Sequence, residues 1–264
     1  MFKKVLFWSE FPNQVDWKKA NKYLKKLKCK TGVYIASQSL TEYKKYSSQL
    51  DKHDEIGIWI IIPKEKGYWF SGATPKEEIT KLKKYKNLNI KIDLEPPIPK
   101  FKYSNLKMLF YIIKLYFMKY QNSEYLHKTI SEISKDNKIM LNEFLAPKFY
   151  LKKTGCYYEN KNITKNVMFY NTIEGKLFIP FLRKINTIYI KSYKKQYPLL
   201  RASVGLIGKG ILKNEGVYPD ETYLKKDLEV LNNLGLEEIV IYSLESMLKR
   251  NPEKWLKVIN QFCS

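Results

Sequence analysis

The sequence predicts a single-domain α/β protein spanning residues 1–264, folded as a closed (β/α)8 barrel, the TIM barrel. Eight short segments are apolar enough to form buried strands, and amphipathic helical patterns alternate with them. This alternation is typical of a parallel sheet covered by helices. At 264 residues the chain is long enough to form such a barrel as one unit. No internal repeat, low-complexity linker or domain boundary interrupts the pattern.

The predicted strands follow from period-two alternation or from short apolar runs. They cover residues 5–9, 32–37, 55–62, 89–97 with two closing prolines, 138–143, 166–170, 201–207 and 238–243.

The predicted helices follow from apolar residues three and four positions apart and from their capping residues. They cover residues 16–27, 41–50, a helix opening at Pro75 with Thr74 as cap, 104–120 with Ser104 as cap, 123–134, 219–234 and 252–262. Residues 174–197 are predicted mainly as helix, with a strand at 186–190 as the alternative.

An open, doubly wound sheet is the alternative fold. Such sheets usually carry a glycine-rich turn after the first strand, where they bind a nucleotide. Here that turn reads Ser-Glu-Phe-Pro-Asn over residues 9–13 and contains no glycine. The closed barrel is therefore favoured.

The net charge is +22, from 48 Lys and Arg against 26 Asp and Glu, and it is spread along the whole chain. Such a surface attracts anions, including nucleic acid, anionic lipid and acidic sugars. A lysine-rich solvated exterior without a specific partner explains the same composition, so charge alone does not assign a function.

Cysteine and histidine limit the chemistry and the compartment. Cys29, Cys156 and Cys263 are odd in number and widely spaced, so they predict neither a zinc site nor a disulfide framework. With no run of 18 uncharged apolar residues either, a reducing, cytoplasmic location is expected. The only histidines, His53 and His127, lie away from strand ends, which argues against a Ser-His-Asp triad or a histidine metal centre. We expect no cofactor and no resident metal.

Acidic side chains recur at the predicted strand ends, where barrels carry their active sites. In chain order, the strand ends carry Glu10, Gln38, Pro63, Asp93 with Glu95, Asn142 with Glu143, Tyr170 with Asn171, Lys209 and Glu245. Converging carboxylates without histidine suit glycoside hydrolysis or a divalent-cation site. The alternative is that they are ordinary loop residues paired with lysines.

The segment Asn-Ile-Lys-Ile-Asp-Leu-Glu-Pro-Pro, residues 89–97, is the most informative. Its alternation should turn Lys91, Asp93 and Glu95 into the barrel. Here the chain resembles chitinase-type glycoside hydrolases, whose fourth strand carries an inward Asp-x-Asp-x-Glu. The resemblance implies that Glu95 protonates the glycosidic oxygen and that Asp93 orients the acetamido group of the substrate. Lys91 replaces the first Asp and should hold Asp93 ionised and paired.

Asn142-Glu143 suggests a second analogy. Another large group of glycosidases places an Asn-Glu pair at a strand end, with this Glu as acid/base and a nucleophilic Glu three strands later. That spacing leads to Glu245, so the catalytic candidates are Asp93, Glu95, Glu143 and Glu245, with Tyr170 nearby. Trp8, Trp59, Trp69 and Tyr170 could stack on sugar rings, although aromatic residues more often form core. The remaining candidates for substrate binding are Glu10, Asn142 and Asn171.

The segment Gly-Leu-Ile-Gly-Lys-Gly, residues 205–210, predicts an alternative substrate. Barrels often bind phosphate with the loops after their seventh and eighth strands. Gly208, Lys209 and Gly210 could cradle a phosphate, which would make the substrate a sugar phosphate. A turn that needs positive φ explains the glycines equally well.

The predicted helix 104–120 is apolar around most of its circumference, with lysines as interruptions. The excess apolar surface could pack within the chain, dock on a second subunit, or lie on an anionic membrane surface. The third candidate function is accordingly a non-catalytic basic barrel that binds nucleic acid, a membrane surface or a protein partner.

Overall fold

The computed structural model describes residues 1–98, 105–173, 176–212 and 215–264. Eight parallel strands pair in chain order, and the eighth pairs with the first, so the sheet closes into a barrel. The strands are β1 (Lys4–Ser9), β2 (Lys30–Ser37), β3 (Glu55–Ile60), β4 (Asn89–Leu94), β5 (Lys138–Glu143), β6 (Thr164–Tyr170), β7 (Leu200–Gly205) and β8 (Glu238–Tyr242).

Helices lie in the connections between the strands. They are α1 (Trp17–Leu24), α2 (Leu40–Ser47), α3 (Lys76–Lys81), α4 (Asn105–Phe117), α5 (Ser123–Ile133), α6 (Lys148–Thr154), α7 (Ile179–Gln196), α8 (Glu221–Asn233), α9 (Leu244–Lys249) and α10 (Pro252–Asn260). Single 3-10 turns occupy Pro12–Gln14, Lys64–Lys66, Leu82–Lys84 and Lys176–Phe178.

The predicted barrel is confirmed, and the open sheet is wrong. Residues 186–190 lie inside α7, so the alternative of a strand there is wrong as well. Thr74 does not cap α3, because its hydroxyl accepts a hydrogen bond from the Ser71 amide, 2.9 Å away. Helices α6 and α9 were not predicted, because each is only one or two turns long. The cap predicted at Ser104 lies outside the described residues.

Two hydrophobic layers surround the sheet, as the strand period requires. The outer layer packs the strands against the helices and includes Ile90, Ile92 and Leu94. The inner layer fills the barrel and includes Trp8, Trp59 and Met140. The alternation in β4 therefore sends its three apolar side chains outward and its charged side chains inward.

A partly buried ionic cluster closes the barrel at the N-terminal ends of the strands, which we call the floor. The Arg201 guanidinium donates to both oxygens of Glu55, at 2.8 and 3.0 Å, and to Glu238. Lys4 donates a hydrogen bond to Glu55 at 2.9 Å, and the Tyr34 hydroxyl also donates to Glu55, at 2.5 Å. Burial alone would raise the pKa of Glu55, but the charge of Arg201 and these hydrogen bonds lower it to about 2.

Cys29 and Cys263 form a disulfide, with their Cα atoms 5.2 Å apart. The expectation of no disulfide is therefore wrong. The two residues are separated by 234 positions, and barrel closure brings them together. Cys156 is a buried free thiol.

Among the described helices, none is both long and apolar enough to cross a lipid bilayer.

Candidate active site at the mouth of the barrel

A cavity of about 280 Å³ opens at the C-terminal ends of the strands, which we call the mouth. Carboxylate, amide and aromatic side chains line it, from nearly every strand end. The lining includes Trp8, Glu10, Trp59, Trp69, Lys91, Asp93, Glu95, Asn142, Tyr170, Glu215 and Tyr242. Five of the predicted site residues therefore come together here, namely Glu10, Asp93, Glu95, Asn142 and Tyr170.

A chain of polar contacts crosses the inside of the barrel and holds Asp93 in place. Lys91 Nζ lies 2.6 Å from Asp93 Oδ1, and Asn142 Nδ2 donates to the same oxygen at 2.7 Å. Asn166 Nδ2 donates to Asn142 Oδ1 at 2.6 Å and to Ser203 Oγ at 3.1 Å. All five side chains are buried. No hydrogen bond from the described residues reaches Asp93 Oδ2, which leaves this oxygen available to a ligand.

Lys91 lies at the base of the cavity between two indole rings. Its Nζ is 3.3 Å from the ring centroid of Trp59 and 3.7 Å from that of Trp8, which is cation–π geometry. Burial lowers the pKa of Lys91 to about 8, although the charge of Asp93 opposes the shift. The pairing of Lys91 with Asp93 that the sequence predicts is present.

Glu95 follows β4 directly, and its backbone is fixed by an adjoining segment. The Phe70 amide donates to Asp93 O and the Glu95 amide donates to Phe70 O, both at 3.0 Å. Burial, followed by the charge of Asp93, raises the pKa of Glu95 well above its usual range. None of the described residues donates a hydrogen bond to its carboxyl group. Glu95 thus faces the cavity with a carboxyl group that retains its proton to a higher pH than an exposed glutamate does.

Glu10 lies at the opposite side of the mouth, after β1. Tyr68 donates its hydroxyl to Glu10 Oε1 at 2.9 Å, and Tyr242 donates to Oε2. Burial raises the pKa of Glu10 to about 7, although these two hydrogen bonds oppose the shift. Glu10 is therefore half-protonated near neutral pH, and both of its oxygens are engaged.

Glu215 is a cavity residue that the sequence analysis missed. It lies in the connection after β7, and its Oε2 accepts from the Gly210 amide at 3.3 Å. Burial and then the charge of Glu10 raise the pKa of Glu215 to about 8. One signal could have identified it: Glu215 ends a stretch, residues 175–214, that contains no Asp or Glu.

Two predicted catalytic residues lie away from the cavity. Glu143 points outward from β5, where Lys165 and Tyr193 donate to it. Neighbouring residues of a strand face opposite sides, so only one member of Asn142-Glu143 can face the interior. Glu245 accepts from the amides of Glu10 and Phe11, at 3.2 and 3.3 Å, and so positions the β1 loop. The geometry does not support the Asn-Glu analogy.

The remaining predicted binding residues also lie outside the lining. Asn171 is buried and accepts from Asn186 at 2.8 Å. The Lys209 side chain is exposed. Neither Gly208 nor Gly210 has positive φ, so the turn interpretation is wrong.

Close approach explains both glycines of this loop instead. A Cβ on Gly208 would lie 2.3 Å from Ser246 Oγ, and one on Gly210 would lie 3.0 Å from Glu10 Oε2. With Glu10 and Glu215 beside it, the loop presents carboxylates to the mouth. This arrangement does not suit a phosphate.

Among the described residues, no group of three His, Cys, Asp or Glu side chains is arranged to hold a metal ion. Burial raises the pKa of the carboxyl groups of Glu10, Glu95 and Glu215, and aromatic side chains line the cavity beside them. The arrangement can therefore donate a proton to a bound substrate and stack aromatic rings against it.

Comparison with known proteins identifies the fold and no family. No family model matches the chain, and no curated protein matches its sequence. The structure is similar to the glycoside hydrolase domain of PgaB (BpsB) from Bordetella bronchiseptica, with 9% sequence identity, 99% of each chain covered and a TM-score of 0.56. At this identity the similarity shows the fold alone, a (β/α)8 barrel.

Two other solved structures cover most of the chain at lower similarity. A putative aldo-keto reductase from Pseudomonas aeruginosa has 11% identity, coverage of 97% of this chain and 90% of that one, and a TM-score of 0.49. A xylose isomerase domain protein from Planctomyces limnophilus has 11% identity, coverage of 99% and 98%, and a TM-score of 0.46.

Proposed function

We propose that this protein is a carbohydrate-active hydrolase that cleaves a glycosidic bond by carboxylate acid catalysis at the barrel mouth. The observation that carries the proposal is the position of Glu95, whose carboxyl group faces the cavity and accepts no hydrogen bond from the described residues, while burial raises its pKa. A general acid has to hold its proton at the working pH and release it to the leaving oxygen.

The walls of the cavity support a sugar as the substrate. Trp69 and Tyr170 line it together with Trp8 and Trp59, and such rings pack against the apolar faces of pyranoses. The similarity of the fold to a glycoside hydrolase domain is consistent with this substrate class.

In the proposed reaction, Glu95 transfers its proton to the glycosidic oxygen while the bond between that oxygen and the anomeric carbon breaks. Positive charge then develops at the anomeric carbon. Asp93 Oδ1 is paired with Lys91, and its Oδ2 is available to orient the substrate. Water then adds at the anomeric carbon and gives up one proton to the Glu95 carboxylate, which restores the acid and completes hydrolysis. By the chitinase-type resemblance, an acetamido sugar is the first substrate to test.

The test is turnover on a panel of aryl glycosides and oligosaccharides that includes N-acetylglucosaminides. We expect Glu95→Gln to lower kcat by about 10²–10⁴-fold, because an amide cannot donate the acidic proton. The wild-type rate should fall as the pH rises through the raised pKa of Glu95. Exposed Glu237 on the far side of the barrel provides the matched control, Glu237→Gln, which should retain full activity.

Glu143→Gln separates the two acids that the sequence analysis named. If this variant loses activity while keeping its melting temperature, and Glu95→Gln remains active, then the assignment of Glu95 is wrong. Absence of turnover on the whole panel would contradict the proposed function itself.

The cytoplasmic location stays a prediction, and one observation opposes it. Disulfides such as Cys29–Cys263 form mainly in oxidising compartments. The sugar-phosphate alternative has less support than glycoside hydrolysis, because Glu10 and Glu215 flank the loop that would have to bind the phosphate.

A further inference from the structure

Exposed apolar side chains concentrate around one sector of the mouth. Eleven large apolar side chains of the described residues are exposed, and ten of them come from the connections that follow β4, β5 and β6. Eight of these ten lie on α4, on α6 or at residues 177–181, where α7 begins, whereas Ile188 and Leu199 lie farther along toward β7. We call these eight the apolar rim: Phe110, Ile113, Tyr116, Phe117, Phe149, Leu177, Phe178 and Phe181. Their exposed fractions range from 42% to 91%. Solitary exposed apolar residues are ordinary, but a concentration of this kind marks an interaction surface.

The segments that carry the apolar rim also border the cavity. Tyr111 and Leu115 of α4, Tyr150 of α6 and Ile173 before α7 all contribute to its lining. Helix α4 also packs against α6. The apolar rim therefore belongs to the same face of the molecule as the cavity opening.

These segments contain no acidic residue. The chain has 26 Asp and Glu, yet residues 96–123, 144–158 and 175–214 contain none. Exposed lysines stand among the apolar side chains of the rim, namely Lys114, Lys119, Lys148, Lys152, Lys153 and Lys184. The surface thus combines aromatic and aliphatic groups with unopposed positive charge, which is the composition of an interfacial membrane-binding face.

We propose that the apolar rim docks on an anionic lipid bilayer, with the cavity opening toward the headgroups. The rim side chains would enter the boundary between headgroups and acyl chains, while the lysines contact lipid phosphates. No described helix spans a bilayer, so the contact is interfacial. The proposal does not depend on the reaction assigned to the cavity.

Two other occupants fit less well. A second copy of this chain would bring the same unopposed lysines against one another, which costs free energy. Nucleic acid would satisfy the lysines, but Ile113 and Leu177 have no ring to stack on a base.

The experiment is co-sedimentation with lipid vesicles at near-physiological salt. One set is phosphatidylcholine alone, and the other contains about 30% phosphatidylglycerol, which gives a surface potential like that of an anionic leaflet. The rim variant is Phe117→Ser with Phe181→Ser, and Phe149→Ser, on a separate helix, is the second variant. Leu199, 60% exposed in the connection before β7, provides the matched control, Leu199→Ser.

We expect the wild-type protein to bind the anionic vesicles and the double rim variant to lose about tenfold or more in partition coefficient, because two phenylalanine side chains no longer enter the interface. Phe149→Ser should lose less, and Leu199→Ser should bind like the wild type. Circular dichroism melts check that each variant is folded.

Three outcomes would overturn the proposal. The first is that the wild-type protein does not bind the anionic vesicles, and the second is that Leu199→Ser loses as much binding as the rim variants. The third is a dimer in light scattering that the rim substitutions dissociate, which would make the surface a subunit interface.

Discussion

The carboxyl groups at the two ends of this barrel have pKa values shifted in opposite directions. At the floor, Glu55 is held by Arg201, Lys4 and Tyr34, and its pKa falls to about 2. At the mouth, Glu10 and Glu215 have raised pKa values of about 7 and about 8, and the pKa of Glu95 is raised well above its usual range. Burial raises the pKa of the carboxyl groups at both ends, so the difference between the ends comes from the charged and hydrogen-bonding partners of each carboxyl group.

The floor has a guanidinium within hydrogen-bond distance of its carboxylate, whereas Lys91 is the only cation among the described residues that line the mouth. Lys91 pairs with Asp93, and none of the described residues forms an ion pair with the other three carboxyl groups. An ionic cluster with matched partners holds the strands together at the floor. Unmatched carboxyl groups destabilise the fold when they ionise, and they supply transferable protons. This separation of roles is the strongest structural argument for chemistry at the mouth.

The largest expected effect comes from removing the floor cation. Arg201→Met leaves the buried Glu55 with only Lys4 and Tyr34 as partners and should lower the free energy of unfolding by about 3–5 kcal/mol. Urea denaturation measures it. The double variant Arg201→Met with Glu55→Gln should regain most of the loss, because no charge is then left unpaired. A loss below 1 kcal/mol, on the order of a surface ion pair, would show that the floor is not a stabilising cluster.

The second largest expected effect is a loss of stability at acidic pH, caused by protonation of Glu55. Its pKa is lowered from 4.5 to about 2, so its contribution is fully present above pH 4.5 and is lost as the pH falls toward 2. The shift corresponds to about 3 kcal/mol. Urea midpoints of the wild type should therefore fall between pH 4.5 and pH 2 more steeply than those of Glu55→Gln. Parallel curves would contradict the lowered pKa.

The smallest expected effect is the pH dependence of stability caused by Glu10 at the mouth, where stability should fall as the pH rises. The pKa of Glu10 is raised from 4.5 to about 7, so stability is fully present below pH 4.5 and declines as the pH rises through 7. Glu10→Gln removes this decline. Between pH 4.5 and pH 9 the wild type should therefore lose about 1–3 kcal/mol more of its free energy of unfolding than the variant does. Thermal and urea unfolding at the two pH values measure the difference. If Glu10→Gln is no more stable than the wild type at pH 9, then ionisation of Glu10 does not destabilise the fold. The pKa values of the carboxyl groups at the floor and the mouth would then not differ as described.

The candidate site was only partly accessible from the sequence. Asp93 and Glu95 could be predicted to face inward, because a strand alternates and its apolar residues occupied the other face. The same rule applied to Asn142-Glu143 turns Glu143 outward, where the structure places it, and the prediction of a catalytic Glu143 neglected this strand period. Glu215 lies in an irregular connection, where no periodicity indicates the direction of a side chain.

The sequence by itself determined the alternation of eight strands and helices, and with it the barrel, because hydrophobic periodicity is a local property that survives without any partner. It also determined the inward pairing of Lys91 with Asp93, since residues two apart on a strand share a face. Only the tertiary structure decided which carboxylates meet at the mouth, that Arg201 neutralises Glu55, and that Cys29 bonds Cys263. These contacts join residues far apart in the chain, and closure of the barrel is what brings them together.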